Sequence, residues 1–227
     1  MRNTRHCNFT IVRITSGLVA LLACTVLTAG DTSGTEYDVD GTPALALTPD
    51  RQHGAGLFDT CAACHGATGL GTDDGAIPLI AGQHFAVILK QLIDFRNHRR
   101  REQRMEHFTD REHLPAAQDL VDVAAYVSHL PRSISGTGVD NGGDLAAGAS
   151  AYLSECAGCH GATGQGNASQ LRPRLAGQRF EYLLRQFADK APGQAQTAHA
   201  VAFGTLTPNQ LRGIANYLSR QMVDARE

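Results

Sequence analysis

The 227-residue chain has no tryptophan, only five tyrosines, eight phenylalanines and three methionines, in a background rich in alanine and glycine. That is the composition of an ordinary soluble globular protein. Neither sign of charge is in excess. Twenty basic against 22 acidic residues leave a formal net charge of −2, which removes bulk attraction to nucleic acid or an anionic membrane as a basis for function. No apolar run spans a bilayer comfortably. The run from Ile14 to Leu27 follows Arg2, Arg5 and Arg13, and a basic start before a short apolar core reads as a secretory signal peptide. No segment alternates apolar and polar residues as a half-buried strand does, so an all-α fold is predicted. The shortage of cysteine excludes most. Of six, Cys7 and Cys24 lie in the leader and the others in two short motifs. None remains in the mature body for a structural disulfide or a thiol nucleophile.

Those motifs are Cys61-Ala62-Ala63-Cys64-His65 and Cys156-Ala157-Gly158-Cys159-His160. Cys-x-x-Cys-His is the attachment site of c-type haem, in which both thiols bond covalently to the haem vinyl groups and the adjacent histidine binds iron. A structural zinc site would need four ligands, whereas each cysteine pair here has a single neighbouring histidine. A thioredoxin-like redox pair would sit beside a βαβ pattern, and none is visible. Two covalent haems c are therefore predicted. Cys61, Cys64, Cys156 and Cys159 attach them, and His65 and His160 are the proximal ligands. Bacterial haem attachment of this kind takes place outside the cytoplasm, in agreement with the leader, so a periplasmic protein is expected. Two cleavage readings stay open. Leu21-Leu22-Ala23-Cys24 resembles a lipoprotein signal that would leave an acylated Cys24 as a lipid anchor, whereas ordinary cleavage near Ala29 would discard Cys24.

The motifs belong to a longer repeat with an offset of about 95 residues, a period of tandem domains and not of a short-repeat solenoid. Ala81-Gly82-Gln83 recurs as Ala176-Gly177-Gln178, and Phe85, Leu89 and Gln91 as Phe180, Leu184 and Gln186. Ala124-Ala125-Tyr126 returns as Ala215-Asn216-Tyr217. Three helices per copy are predicted. The first leads into the haem motif, over Gly54–Ala63 and Ala146–Gly158. The second is amphipathic, with Phe85, Ile88, Leu89, Leu92 and Phe95 in one copy and Phe180, Leu183, Leu184 and Phe187 in the other. The third closes each domain, Pro115–Leu130 and Pro208–Met222, the latter opening on a capping box, Thr207-Pro208-Asn209-Gln210. The organisation reads as a signal peptide (1–29), a flexible segment (30–49), a first domain (50–131), a Gly/Ser-rich linker (132–144), a second domain (145–222) and a short tail (223–227).

Tandem CxxCH domains, Ala-Gly-Gln before the middle helix and an Ala-Ala-Tyr-type last helix resemble the cytochrome c4 family over roughly Gly54 to Arg220. The resemblance implies two class I cytochrome c domains, each a small helical fold around one haem, and a distal methionine shortly before the leucine that introduces the last helix. In the first copy this points to Met105, ahead of Leu114, with His107 as the rival. The second copy has no methionine between His160 and its last helix. The equivalent position falls on His199, giving His/His ligation, with Met222 as the rival. Pro78 and Pro173 match the proline whose carbonyl, in class I cytochromes c, accepts from the proximal imidazole; a plain turn proline is the alternative. The charge run Arg96, His98, Arg99, Arg100, Arg101 and Arg104 is expected to be a solvated helix end; facing the haem propionates or an acidic partner is the alternative.

The function expected is electron transfer between redox partners of the respiratory or dehydrogenase type in the cell envelope, with no enzymatic activity and no nucleic acid partner. Alternatives are an enzyme or small-gas sensor with an open second iron, or the electron-accepting subunit of a larger dehydrogenase or oxidase. Dihaem thiosulfate dehydrogenases use a cysteine ligand at the active haem, and no free cysteine is available here.

Overall fold

The computed structural model describes residues 37–132, 143–189 and 204–222, all within one compact unit, Thr32–Glu227. The leader with Cys24, most of the expected linker, the segment holding His199 and the tail lie outside the described residues. A two-stranded antiparallel ribbon, β1 (Asp38–Val39) and β2 (Thr42–Pro43), precedes α1 (Arg51–His65), α2 (Phe85–Arg96), α3 (Gln103–Phe108) and α4 (Ala117–His129). Among the described residues, the second copy shows α5 (Leu145–Glu155), α6 (Ala157–His160), α7 (Phe180–Asp189) and α8 (Pro208–Ser219). Helix dominates, as the sequence pattern requires.

Local chemistry starts and stops these helices. The Asp50 carboxylate accepts from the N–H groups of Gln52 and His53 at 2.9 and 3.1 Å, and Asp144 does the same for Ala146 and Ala147. Thr207 and Gln210 form the reciprocal capping box, with Pro208 as the first helical residue. The helix leading into the second motif breaks at Cys156 and resumes as α6. There Gly158 replaces Ala63 of the first copy, and glycine weakens a helix by about 1 kcal/mol relative to alanine.

In both copies the first helix crosses the last at a glycine. A Cβ on Gly54 would lie 2.1 Å from the Asp122 carbonyl oxygen, and one on Gly148 2.1 Å from the Gly213 carbonyl carbon. Backbones approach this closely only because the side chain is missing. Beside each crossing an aromatic pair tilts ring on ring, Phe58–Tyr126 at 5.3 Å and Tyr152–Tyr217 at 5.4 Å. The middle helix packs onto the last, burying Leu89 and Ile93 against Leu120 and Ala124 in one core and Leu183 against Ile214 and Leu218 in the other.

Three expectations are corrected. Residues 37–48 do not form a flexible tether: Tyr37, Val39 and Ala44 are buried in the first core, and Arg111 forms an ion pair with Asp40. Two-residue strands are too short to show alternation, so the ribbon left no pattern to read. A fourth helix, α3, stands in the first copy; the Glu102 carboxylate caps it by accepting from Met105 N–H at 2.8 Å. Arg132, assigned to the linker, is buried at 4 % exposure.

Asp122 ties the start of α1 to α4. Its carboxylate accepts from Asp50 N–H at 2.7 Å and Gln118 Nε2 at 2.6 Å, and meets His53 Nδ1 at 2.8 Å. That hydrogen bond holds the His53 pKa above its ordinary value. A raised folded-state pKa contributes stability that is fully present below the unfolded value, about 6.5, and is lost as pH rises through the folded value. Denaturant melts of wild type and His53→Gln are therefore expected to differ most below the unfolded value of about 6.5 and to converge as pH rises through the folded one; a gap that widens with pH would contradict this pairing.

Candidate haem sites

His65 ends α1 and His160 ends α6. Both are 6 % exposed. His65 Nδ1 lies 3.0 Å from the Pro78 carbonyl oxygen and His160 Nδ1 3.1 Å from that of Pro173. A carbonyl only accepts, so Nδ1 carries the proton in each ring and Nε2 keeps its lone pair for a metal. Burial pushes both imidazoles below their ordinary pKa, and the carbonyl bond offsets this only in part. Each ring is thus neutral near pH 7, the form that ligates iron.

The cysteines of each pair are three residues apart, which places Cys61 and Cys64 on one face of α1. Burial pushes the Cys61 and Cys156 thiols up to about 11. A redox-active CxxC pair is favoured by the opposite, a thiol pKa lowered toward neutrality, and among the described residues neither pair lies beside a βαβ unit. One further observation tests the fit of haem. Arg172 Nε is buried without a hydrogen-bond partner, and the charge of Arg172 acts on His160. A buried guanidinium N–H with no protein acceptor suits an anionic group such as a haem propionate. The residues present fit the cofactor.

Of the residues expected as distal ligands, Met105 lies half-buried on α3, and the charge of its neighbour Arg104 reaches His65. His107 is exposed and turns toward Asp110 and His113, its Nδ1 3.5 Å from the Asp110 carboxylate. That carboxylate already caps a turn by accepting from the N–H groups of Glu112 and His113. Met222 is 80 % exposed beyond the end of α8. His199 lies outside the described residues.

The arginine run is not simply a solvated helix end. Arg96 is buried, donating to the carbonyls of Thr109 and Leu114. Arg99 pairs with Asp94, Arg101 and His98 with Glu106, and Arg104 with Glu102. Arg100 stacks 4.7 Å over Phe95 and donates to Tyr182 and Gln186 of the second copy.

The two copies meet through a polar interface in which equivalent residues exchange equivalent bonds. Gln83 Nε2 donates to Arg174 O at 3.0 Å and Gln178 Nε2 to Leu79 O at 2.8 Å. Arg174 N–H donates to Gln83 Oε1 at 2.8 Å and Leu79 N–H to Gln178 Oε1 at 3.0 Å. His84 Nε2 donates to Gln165 O, and its counterpart Arg179 to Leu70 O. Arg132 bridges the matching carbonyls of Ala81 and Ala176. This is the self-complementary pattern of a two-fold interface, built within one chain. Sequence reading marked Gln83 and Gln178 as repeat landmarks but missed their role, because each partner lies in the other copy.

Comparison with known proteins gives the same division. The Cytochrome c family matches residues 52–131, and the family described as Cytochrome C oxidase, cbb3-type, subunit III matches 143–218. Cytochrome c4 of Thiocapsa roseopersicina is 33 % identical over 178 residues, covering 73 % of this chain and 82 % of the relative. A thiosulfate dehydrogenase electron acceptor of Stutzerimonas stutzeri is 30 % identical over 177 residues, covering 72 % of each. The crystal structure of reduced recombinant cytochrome c4 from Pseudomonas stutzeri superposes with a TM-score of 0.64 at 26 % identity, covering 77 % of this chain and all of that one. Two covalent haems c, one per copy, follow from the paired motifs and these relatives. With the likeness running through both copies in sequence and fold, the chain belongs to the cytochrome c4 family of dihaem electron-transfer cytochromes.

Proposed function

We propose that this cytochrome works in the periplasm, taking electrons from one redox protein of the cell envelope and passing them to another. Met105 is the sixth ligand of the first haem and His199 that of the second. The observation that carries the reading is the same proximal site built twice, with a buried neutral imidazole fixed by Pro78 O in one copy and Pro173 O in the other. Bound there, haem supplies an iron that changes oxidation state at a potential set largely by its axial ligands. The chain does the rest. It fixes the imidazole tautomer, buries the ring and holds the two domains in register through the glutamine and arginine bonds.

A thioether ligand raises the potential and a second imidazole lowers it, within a span of about 0.8 V for axial choices in general. Electrons therefore rest preferentially on the first haem. Near-infrared magnetic circular dichroism of the oxidised, fully loaded protein tests this, since each ligand pair has its own charge-transfer band. One His/Met and one His/His low-spin signal is expected, and His199→Ala should abolish only the second. A high-spin second haem in the wild type would remove His199 and favour an open iron suited to an enzyme or gas sensor.

A second reading concerns the donor. The likeness to a thiosulfate dehydrogenase electron acceptor supports a dehydrogenase as the partner that reduces this protein. Co-purification from cells grown with and without thiosulfate separates that reading from a general carrier. Export is checked by cell fractionation; release of Cys24→Ala, but not of wild type, from the membrane fraction would establish the lipid anchor.

A further inference from the structure

One amide in each domain is bonded at both ends. The Pro78 carbonyl accepts from His65 Nδ1 at 3.0 Å, and the N–H of the same peptide unit, on Leu79, donates to Gln178 Oε1 in the second domain at 3.0 Å. The counterpart runs the other way. Pro173 O accepts from His160 Nδ1 at 3.1 Å, and Arg174 N–H donates to Gln83 Oε1 in the first domain at 2.8 Å. Each glutamine completes a ring by donating Nε2 to the carbonyl of the same residue, Leu79 or Arg174. Each Oε1 also accepts from the next residue in its own domain, Arg179 N–H at 2.8 Å or His84 N–H at 3.0 Å, which holds the acceptor in place. Leu79 and Gln178 are 3 and 6 % exposed, so water does not compete for the first ring; in the second, Arg174 is 8 % exposed and Gln83 half-buried.

Hydrogen bonds in series polarise one another, more so at low local dielectric. An amide whose N–H donates to a strong acceptor presents a more negative carbonyl oxygen. A stronger acceptor at Nδ1 makes the ligating imidazole a more basic donor to the metal. Greater ligand basicity favours the ferric over the ferrous state and lowers the potential.

We propose that Gln178 and Gln83 are crossed positioning residues, each setting through a single peptide unit the donor strength of the proximal histidine in the opposite domain. Gln178 acts on His65 and Gln83 on His160. The two haems are thus tuned by the interface, and any partner that shifts the domains would alter both. The inference rests on His65 and His160 being the iron ligands.

The test uses the full-length, haem-loaded protein and its Gln178→Ala, Gln178→Glu and Gln83→Ala variants. Potentiometric titration is followed by NMR of the haem methyl groups, which report each haem separately. Gln178→Ala is expected to raise the potential of the first haem, moving its reduction equilibrium about threefold to tenfold, or about 30–60 mV at 59 mV per decade. The second haem should change much less. Gln83→Ala should do the reverse. Gln178→Glu keeps a charged, stronger acceptor for Leu79 N–H while losing the donor to Leu79 O, and should lower the first potential, a sign reversal that mere loosening of the interface would not produce. If Gln178→Ala fails to load haem, Gln178→Glu carries the test alone. A shift confined to the haem of the mutated domain, equal shifts at both haems, or no shift in a stably loaded variant would overturn the proposal. Haem content by mass spectrometry is read separately; a wild-type chain without two haems would overturn the site reading instead.

Discussion

Replacing Cys156 and Cys159 with serine is expected to yield a chain with one haem instead of two and without a cooperative fold in its second domain. The argument is one of size. Buried apolar residues in the second core are Ala151, Tyr152, Phe180, Leu183, Ile214, Ala215 and Leu218. Domains this small bury too little of their own surface to be stable unaided. The covalently held haem must supply much of the apolar contact. The equivalent change at Cys61 and Cys64 should be less destructive, because the first core adds the ribbon residues Tyr37 and Val39 together with Leu114, Val121 and Val127. Intact mass measures the haem loss, and far-ultraviolet circular dichroism measures the lost helix. A serine variant with full helix content and an unchanged second transition would show that the polypeptide core suffices.

The other large effect should follow from a single methyl group. Gly148→Ala puts a Cβ 2.1 Å from the Gly213 carbonyl carbon, and Gly54→Ala puts one 2.1 Å from the Asp122 carbonyl oxygen. The atoms in the way are backbone, so no side chain can turn aside. The first and last helices of the domain must separate, and the aromatic pair beside the crossing, Tyr152 with Tyr217 or Phe58 with Tyr126, must repack. Overpacking of this kind costs about 3 kcal/mol. Gly56 lies on α1 with nothing within 4 Å of its would-be Cβ, so Gly56→Ala should instead stabilise by about 0.5–1 kcal/mol through helix propensity. Denaturant midpoints of the three variants, each in the haem-loaded state, decide the matter. Equal effects at Gly54 and Gly56 would mean that propensity dominates and the crossing is looser than described.

Much of this molecule was written locally. The CxxCH pentapeptides are covalent signatures and need no tertiary context to be read. The apolar spacing of Phe85, Ile88, Leu89 and Leu92 and the Thr207–Gln210 cap act within a few residues of chain, and the helices stand close to where those patterns put them. The short helix around Met105 was missed although Glu102 caps it, because six residues are too few to show a period. The destinations of Arg96, Arg100 and Arg132 were also illegible, since their acceptors are carbonyls and side chains brought near only by folding.

By itself, then, the sequence determined how many haems the chain holds, which atoms attach them, and that two similar helical domains follow one another. Only the tertiary structure decided that Gln83 and Gln178 reach across to peptides 91 and 99 residues away, and that those peptides are the ones bonded to His160 and His65. Motif and helix signals come from neighbours along the chain, whereas a bond between domains depends on how two finished surfaces dock, which no short stretch of sequence encodes.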